Sequence, residues 1–260
     1  MSSKIVARGV RMDYTVRNDA GQTEEVAVLR DFDLDIRDGE FLSVLGPSGC
    51  GKSTFLSILA GLTERTGGNI RIDGHALAGI NPHQGVVFQG YALFPWRTVL
   101  ENIEVGLEIR GVPKAERRRI AQEHLELVGL TGAGARYPHE ISGGMKQRVA
   151  IARSLAYKPD VLLMDEPFAA LDALTRRKMQ DELLQLWDET RFTVLFVTHS
   201  IPEAIRCGSR ILILSPHPGQ VRAELPSLAR GDDDPERFKA LEAEIHNMLF
   251  DRAVEETHAD

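Results

Sequence analysis

Long hydrophobic runs are what this 260-residue sequence has least of. Its best apolar stretches, at 161–164, 194–197 and 211–214, fall far short of the ~18 residues that a membrane-spanning helix needs. The opening Met1-Ser2-Ser3-Lys4-Ile5 lacks the apolar core of a secretory signal. Cysteine is scarce: Cys50 and Cys207 are too few for a disulfide framework and suit a reducing cytosol. Positive charge is in deficit, with 31 Lys and Arg against 38 Asp and Glu and a net charge of −7, which disfavours a general nucleic-acid binder. There is no internal repeat and no low-complexity tract. What is present is ordinary globular composition, 43% hydrophobic and 27% charged, which argues against a disordered chain. The length allows one large domain or two small ones with room for a core, and the expectation is a soluble, cytosolic protein.

Short β-rich runs bounded by Gly, Pro or Asp come first, at 5–12, 32–36, 41–45, 70–72 and 85–88. The segment 13–28 is polar and weakly patterned, and reads as an exposed hairpin loop. The period then changes: 98–110, 114–128 and 143–156 carry apolar residues at spacings of three and four, the amphipathic helix signal. Strand-like runs return at 161–164, 193–197 and 210–214, with a helix at 171–189 between the first two. The pattern predicts an α/β core with an antiparallel β subdomain and a helical insertion over roughly 89–160. The main domain is expected over 1–222, followed by a charged tail, 223–260, with one peripheral helix at 235–250.

Gly46-Pro47-Ser48-Gly49-Cys50-Gly51-Lys52-Ser53 fits the phosphate-binding pattern G-x-x-x-x-G-K-[ST] in full, and Thr54 continues into a helical run. The motif follows an apolar strand and opens a helix, the context the pattern requires. Glycines let successive N–H groups curl towards phosphate oxygens, and the helix N-terminus adds favourable potential. Lys52 offers a point charge to the β and γ phosphates and Ser53 a hydroxyl to Mg²⁺. Further on, an apolar strand ends in Asp165-Glu166. Asp165 suits a Mg²⁺ partner at a strand's C-terminal end, and Glu166 suits a base for attacking water.

Between these stretches lies Ile141-Ser142-Gly143-Gly144-Met145-Lys146-Gln147-Arg148. Read alone, Ser142 is a helix N-cap followed by a loose first turn. In this order, however, the motifs resemble the signature set of ATP-binding-cassette (ABC) ATPases, whose core is a phosphate-loop, RecA-like fold. The resemblance implies that Ser142, Gly143 and Gly144 hold the γ-phosphate of ATP bound to a partner subunit. It also implies that Gln89 reaches Mg²⁺ and the attacking water, that Asp172 crosses to the partner, and that His199 senses the γ-phosphate. Tyr14 would stack on adenine. Each has an ordinary alternative: a loop amide, a helix N-cap, a strand-end histidine and a surface tyrosine.

The resemblance spans residues 4 to about 222 and, in Phe94-Pro95-Trp96 and Leu214-Ser215-Pro216-His217-Pro218-Gly219, is similar to importers of nitrate, sulfonates, taurine or bicarbonate. It departs at Gly90-Tyr91, where an acidic residue or Pro is more usual, and at Ser200, where Asp is common. The extra C-terminal β domain of sugar importers is not expected. The resemblance implies an ATP- and Mg²⁺-dependent hydrolase, peripheral on the cytoplasmic side of the inner membrane. It would work as a head-to-tail dimer with integral membrane permease subunits and, indirectly, a substrate-binding protein, with no nucleic acid. The run Arg117-Arg118-Arg119 reads as a solvated helix face, and 91–96 as either core or a groove for another protein's helix. The rival from another class is a non-transport cassette acting on nucleic acid or the ribosome. A phosphate-loop kinase would leave residues 142–148 and His199 without a role.

Overall fold

The computed structural model describes residues 3–17, 21–232 and 234–250. The chain divides into two compact units, residues 1–81 together with 193–260, and residues 82–192. In chain order, the first unit begins with β1 (Ser3–Arg17), β2 (Thr23–Arg37), β3 (Phe41–Leu45), α1 (Lys52–Leu59), β4 (Gly67–Ile72) and β5 (His75–Ala76). The second holds β6 (Gln84–Val87), α2 (Val99–Ile109), α3 (Lys114–Leu127), α4 (Gly143–Ala156), β7 (Val161–Asp165) and α5 (Ala173–Thr190). The chain then returns to the first unit with β8 (Thr193–Val197), α6 (Ile201–Cys207), β9 (Arg210–Leu214), β10 (Val221–Pro226) and α7 (Pro235–Phe250).

The first unit contains an antiparallel sheet in the order β2-β1-β4-β5. Its other strands run β10-β9-β3-β8, with β3 parallel to both neighbours and β10 antiparallel to β9. All five residues of β3 are buried, as are all five of β8, so both read as unbroken apolar runs rather than alternating ones. The expected loop at 13–28 is corrected here. Asp13 pairs with Ala27, Tyr14 with Val26, Thr15 with Glu25 and Arg17 with Thr23, so both arms are strand. Most of these residues are exposed, and the ladder of backbone hydrogen bonds rather than a buried face sustains them. Helix α7 is mostly exposed and is anchored by one face. Ile245 is fully buried in a cluster with Leu45, Ala204, Ile205, Ile211 and Ile213, and Phe238, Leu241, Met248 and Leu249 pack against it. Strand β10 runs across residue 222 by pairing with β9.

In the second unit β6 and β7 pair in parallel, Gln84 opposite Val161 and Val87 opposite Met164. Helices α2, α3 and α4 pack on one another. A capping box opens α2: the Thr98 hydroxyl accepts from the Glu101 amide and the Glu101 carboxylate accepts from the Thr98 amide. The Ser154 hydroxyl donates to Val86 O and the Tyr157 hydroxyl to Gln84 O, each at 2.9 Å, which fixes the end of α4 on β6. The arginine run is taken up by acids of its own unit, Arg117 and Arg118 by the buried Glu104 and Arg119 by Glu123. Among the described residues no helix is long and apolar enough to cross a membrane.

Candidate active site

In the first unit, β3 delivers the chain into the phosphate loop. Gly51 has φ +94, and a Cβ there would stand 2.7 Å from Leu29 Cδ2 and 3.0 Å from Val28 O, so only glycine satisfies both the dihedral and the space. Gly51 also occupies the N-cap of α1, where no side chain caps the helix, leaving the first amides to an anion. Lys52 is buried, with Nζ donating to Gly46 O at 2.7 Å and Pro47 O at 2.8 Å. Among the described residues its hydrogen-bonded oxygens are these neutral carbonyls, so the ammonium charge remains available to a polyphosphate. Ser53 is exposed beside it and Thr54 half-buried. Burial pushes the Cys50 thiol above its ordinary value, with the Lys52 charge pulling the other way. Ser48 and Gly49 lie at the exposed crown of the loop, and the His217 ring rests against Gly49.

His199 follows β8, exposed between buried Thr198 and half-buried Ser200. Tyr14 lies on the hairpin, 40% exposed and paired with Val26.

The second unit brings two expected residues together. Gln89, two residues beyond β6, donates from Nε2 to Glu166 Oε2 at 3.1 Å. Asp165 is the buried last residue of β7, and Glu166 turns out of the strand with φ +48, a left-handed conformation that a side chain adopts only under local constraint. A carboxylate beside an amide can accept a proton from a water while the amide orients it. Ser142 caps α4, its hydroxyl accepting from Met145 N at 3.3 Å, with Gly143 and Gly144 forming the first turn. The Tyr91 hydroxyl stands 3.1 Å from where a Cβ on Gly143 would be. Asp172 caps α5 through Thr175 N at 3.0 Å, and hydrogen bonds from Thr175 hold its carboxyl below the usual carboxylate range. The helix expected from residue 171 therefore starts at Ala173, because Asp172 spends its carboxylate on the cap.

Two residues bearing on this chemistry were not singled out from the sequence. Thr198, immediately before His199, and Glu203, four residues after it, bond to each other at 2.7 Å. The signal was available: Ser200-Ile201-Pro202-Glu203 is a helix-opening pattern with Pro in the first turn and an acid at the third position. Arg153 likewise escaped notice. It donates to Tyr91 O and Ala92 O, two carbonyls of residues with left-handed dihedrals, and holds the turn after Gln89 in shape.

Comparison with known proteins shows the family. The family described as ABC transporter matches residues 29–169. The taurine import ATP-binding protein TauB of Roseobacter denitrificans is 43% identical over 252 residues, covering 94% of each chain. The nitrate import ATP-binding protein NrtD of a Synechocystis species is 43% identical over 251 residues, covering 92% of this chain and 94% of its own. Among solved structures, a dimeric ATP-binding cassette in a post-hydrolysis state bound to ADP and Pi superposes with a TM-score of 0.78 at 35% identity, over 86% of this chain and 99% of that one. The α/β phosphate-loop fold is thus that of an ATP-hydrolysing cassette. The chain belongs to the ABC transporter family.

Proposed function

We propose that this chain is the ATP-hydrolysing subunit of an importer for a small anion such as taurine, another sulfonate, nitrate or bicarbonate. The observation that carries the reading is similarity to import subunits that runs nearly end to end in both chains. Those relatives are importer subunits, which does not favour the alternative of a cassette acting on nucleic acid or the ribosome. With no membrane-crossing helix among the described residues, the path for the anion belongs to separate permease subunits. The chain would dock on them from the cytoplasmic side, with a substrate-binding protein presenting the anion to the permease on the opposite side.

In this reading two copies meet head to tail, as supported by the dimeric state of the similar cassette. The loop of Gly46, Pro47, Ser48, Gly49, Cys50, Gly51, Lys52, Ser53 and Thr54 grips the phosphates of ATP, and Tyr14 stacks on its base. Ser142, Gly143 and Gly144 of one copy present a helix N-terminus to the nucleotide of the other, with Asp172 reaching across. Glu166 accepts the proton of the attacking water, Gln89 orients that water, and His199 holds the γ-phosphate. These shared roles rest on motif order along the chain and on the Gln89–Glu166 contact. The oxygens of Ser53, Asp165 and Gln89 are hard donors that fit Mg²⁺, a cation that takes few protein ligands and completes its shell with phosphate and water. When bound, Mg²⁺ neutralises charge on the β and γ phosphates. The test is uptake of labelled taurine, nitrate and bicarbonate by cells with and without the gene. Loss of one uptake, restored by the parental chain but not by Lys52→Ala, is the expected result; unchanged uptake of every small anion would refute the importer.

A further inference from the structure

The hydrogen bonds around His199 form a closed circuit that neither the motif pattern nor the comparisons assign. Thr198 N donates to Val44 O on β3 at 3.2 Å, which ties the residue before His199 to the central strand. The Thr198 hydroxyl accepts from Ser200 N at 3.1 Å, so one of its lone pairs is used and its single hydrogen is free to go elsewhere. That hydrogen goes to Glu203 Oε2 at 2.7 Å, in a contact where Thr198 is 1% and Glu203 8% exposed. The Ser200 hydroxyl in turn accepts from Glu203 N at 3.4 Å, capping α6. From behind, α6 is fixed by Ala204 and Ile205, which lie in the apolar cluster around Ile245 of α7.

His199 is exposed, whereas its neighbours on either side are buried or half-buried, and both neighbours are pinned. A buried carboxylate is costly to desolvate unless hydrogen bonds compensate it. A plain helix start would be met by the Ser200 cap alone. The carboxylate accepts from the residue immediately before the histidine, whose backbone is also tied to β3.

We propose that Glu203, through Thr198, is a positioning residue for His199, which rests on the reading of His199 as the group that holds the γ-phosphate. Neither residue touches nucleotide; both act by holding the histidine's backbone at one angle. A displacement of about 1 Å at such a group can cost up to about a hundredfold in rate.

The experiment uses the full-length chain. Thr198→Val and Glu203→Ala should each slow ATP hydrolysis about ten- to a hundredfold, while ATP affinity stays within about twofold and the thermal melt shows a folded protein. Thr198→Ser, which restores the hydroxyl, and Glu203→Gln, whose amide oxygen can accept it, should recover most of the rate. The direct readout is the imidazole itself: with ¹³C-labelled histidine, the His199 ring signal should shift or broaden in Thr198→Val and Glu203→Ala while those of histidines remote from α6 hold. Combined with His199→Ala, the Glu203→Ala change should add less than twofold to the loss. An unmoved His199 signal, a full-rate Glu203→Ala, or no recovery in Thr198→Ser overturns the brace. His199→Ala at the parental rate removes the role of His199 and the brace with it. A slow His199→Ala beside a full-rate Glu203→Ala removes the brace alone.

Discussion

Gln89 and Glu166, 77 residues apart in sequence, share a hydrogen bond of 3.1 Å at the ends of two paired strands. The pairing is a product of the parallel β6–β7 register, which brings both C-terminal ends to one edge. Glu166 reaches it by leaving the strand in a left-handed conformation, φ +48, so the carboxylate turns out of the sheet where Asp165 stays buried.

Glu166→Gln should therefore keep nucleotide binding and lose about 10²- to 10⁴-fold in turnover, since an amide cannot accept the proton of water. Phosphate release measures the rate, and size-exclusion chromatography with ATP should show an accumulated dimer. Turnover near the parental value would remove Glu166 from the role of base. Gln89→Ala, which keeps the carboxylate, should cost less than Glu166→Gln.

Lys52→Ala removes the ammonium that rests on Gly46 O and Pro47 O, and ATP binding followed by a fluorescent analogue should weaken sharply. Ser142→Arg should leave that binding intact and stop hydrolysis by blocking the partner's face. Mixing the two inactive proteins should regain activity, up to about half the parental rate if sites act independently, because one composite site is then free of both lesions. Recovery would be impossible were each site built within one chain.

Cys50 is buried and its thiol is held above the ordinary value, so the neutral form dominates at neutral pH and the reactive thiolate is suppressed. Alkylation by iodoacetamide should be slow near neutrality and accelerate only as pH climbs past the value of a free thiol. Saturating ATP should slow it further. Rapid modification at neutral pH, located to Cys50 by mass spectrometry, would contradict the burial.

Ile245→Ala should destabilise the folded chain by about 2–5 kcal/mol, the range for deleting a fully buried isoleucine side chain. Urea unfolding would measure it, and a change below about 0.5 kcal/mol would show that α7 is not anchored through this residue.

How much of this was legible depends on what each element buries. The runs 193–197 and 210–214 were readable because strands covered on both faces become unbroken apolar words, and those bounds are the observed ones of β8 and β9. Helix α4, whose N-cap Ser142 precedes a regular apolar period, was equally plain. The outer hairpin was not, because Thr15 opposite Glu25 and Arg17 opposite Thr23 carry no hydrophobic alternation. Helix α6 has seven residues, too few for a helical period to repeat twice, and β10 alternates only weakly. The phosphate loop announces itself by residue type at fixed spacing. The contacts among Thr198, Ser200 and Glu203 depend on how tightly a short helix turns back on its strand, which spacing alone does not encode.

Strand β3, which ends at the phosphate loop, is flanked by Thr193–Val197 on one side and Arg210–Leu214 on the other. Both neighbours are translated long after β3 has left the ribosome. A nascent chain reaching only residue 192 holds every residue of the phosphate loop and none of the strands that align it. Such distant pairing raises contact order and delays folding of the unit until its C-terminal part arrives. The ability to grip ATP should thus be acquired in one late step of synthesis, after β9 is available, and until then the apolar β3 lacks the strands that cover its edges.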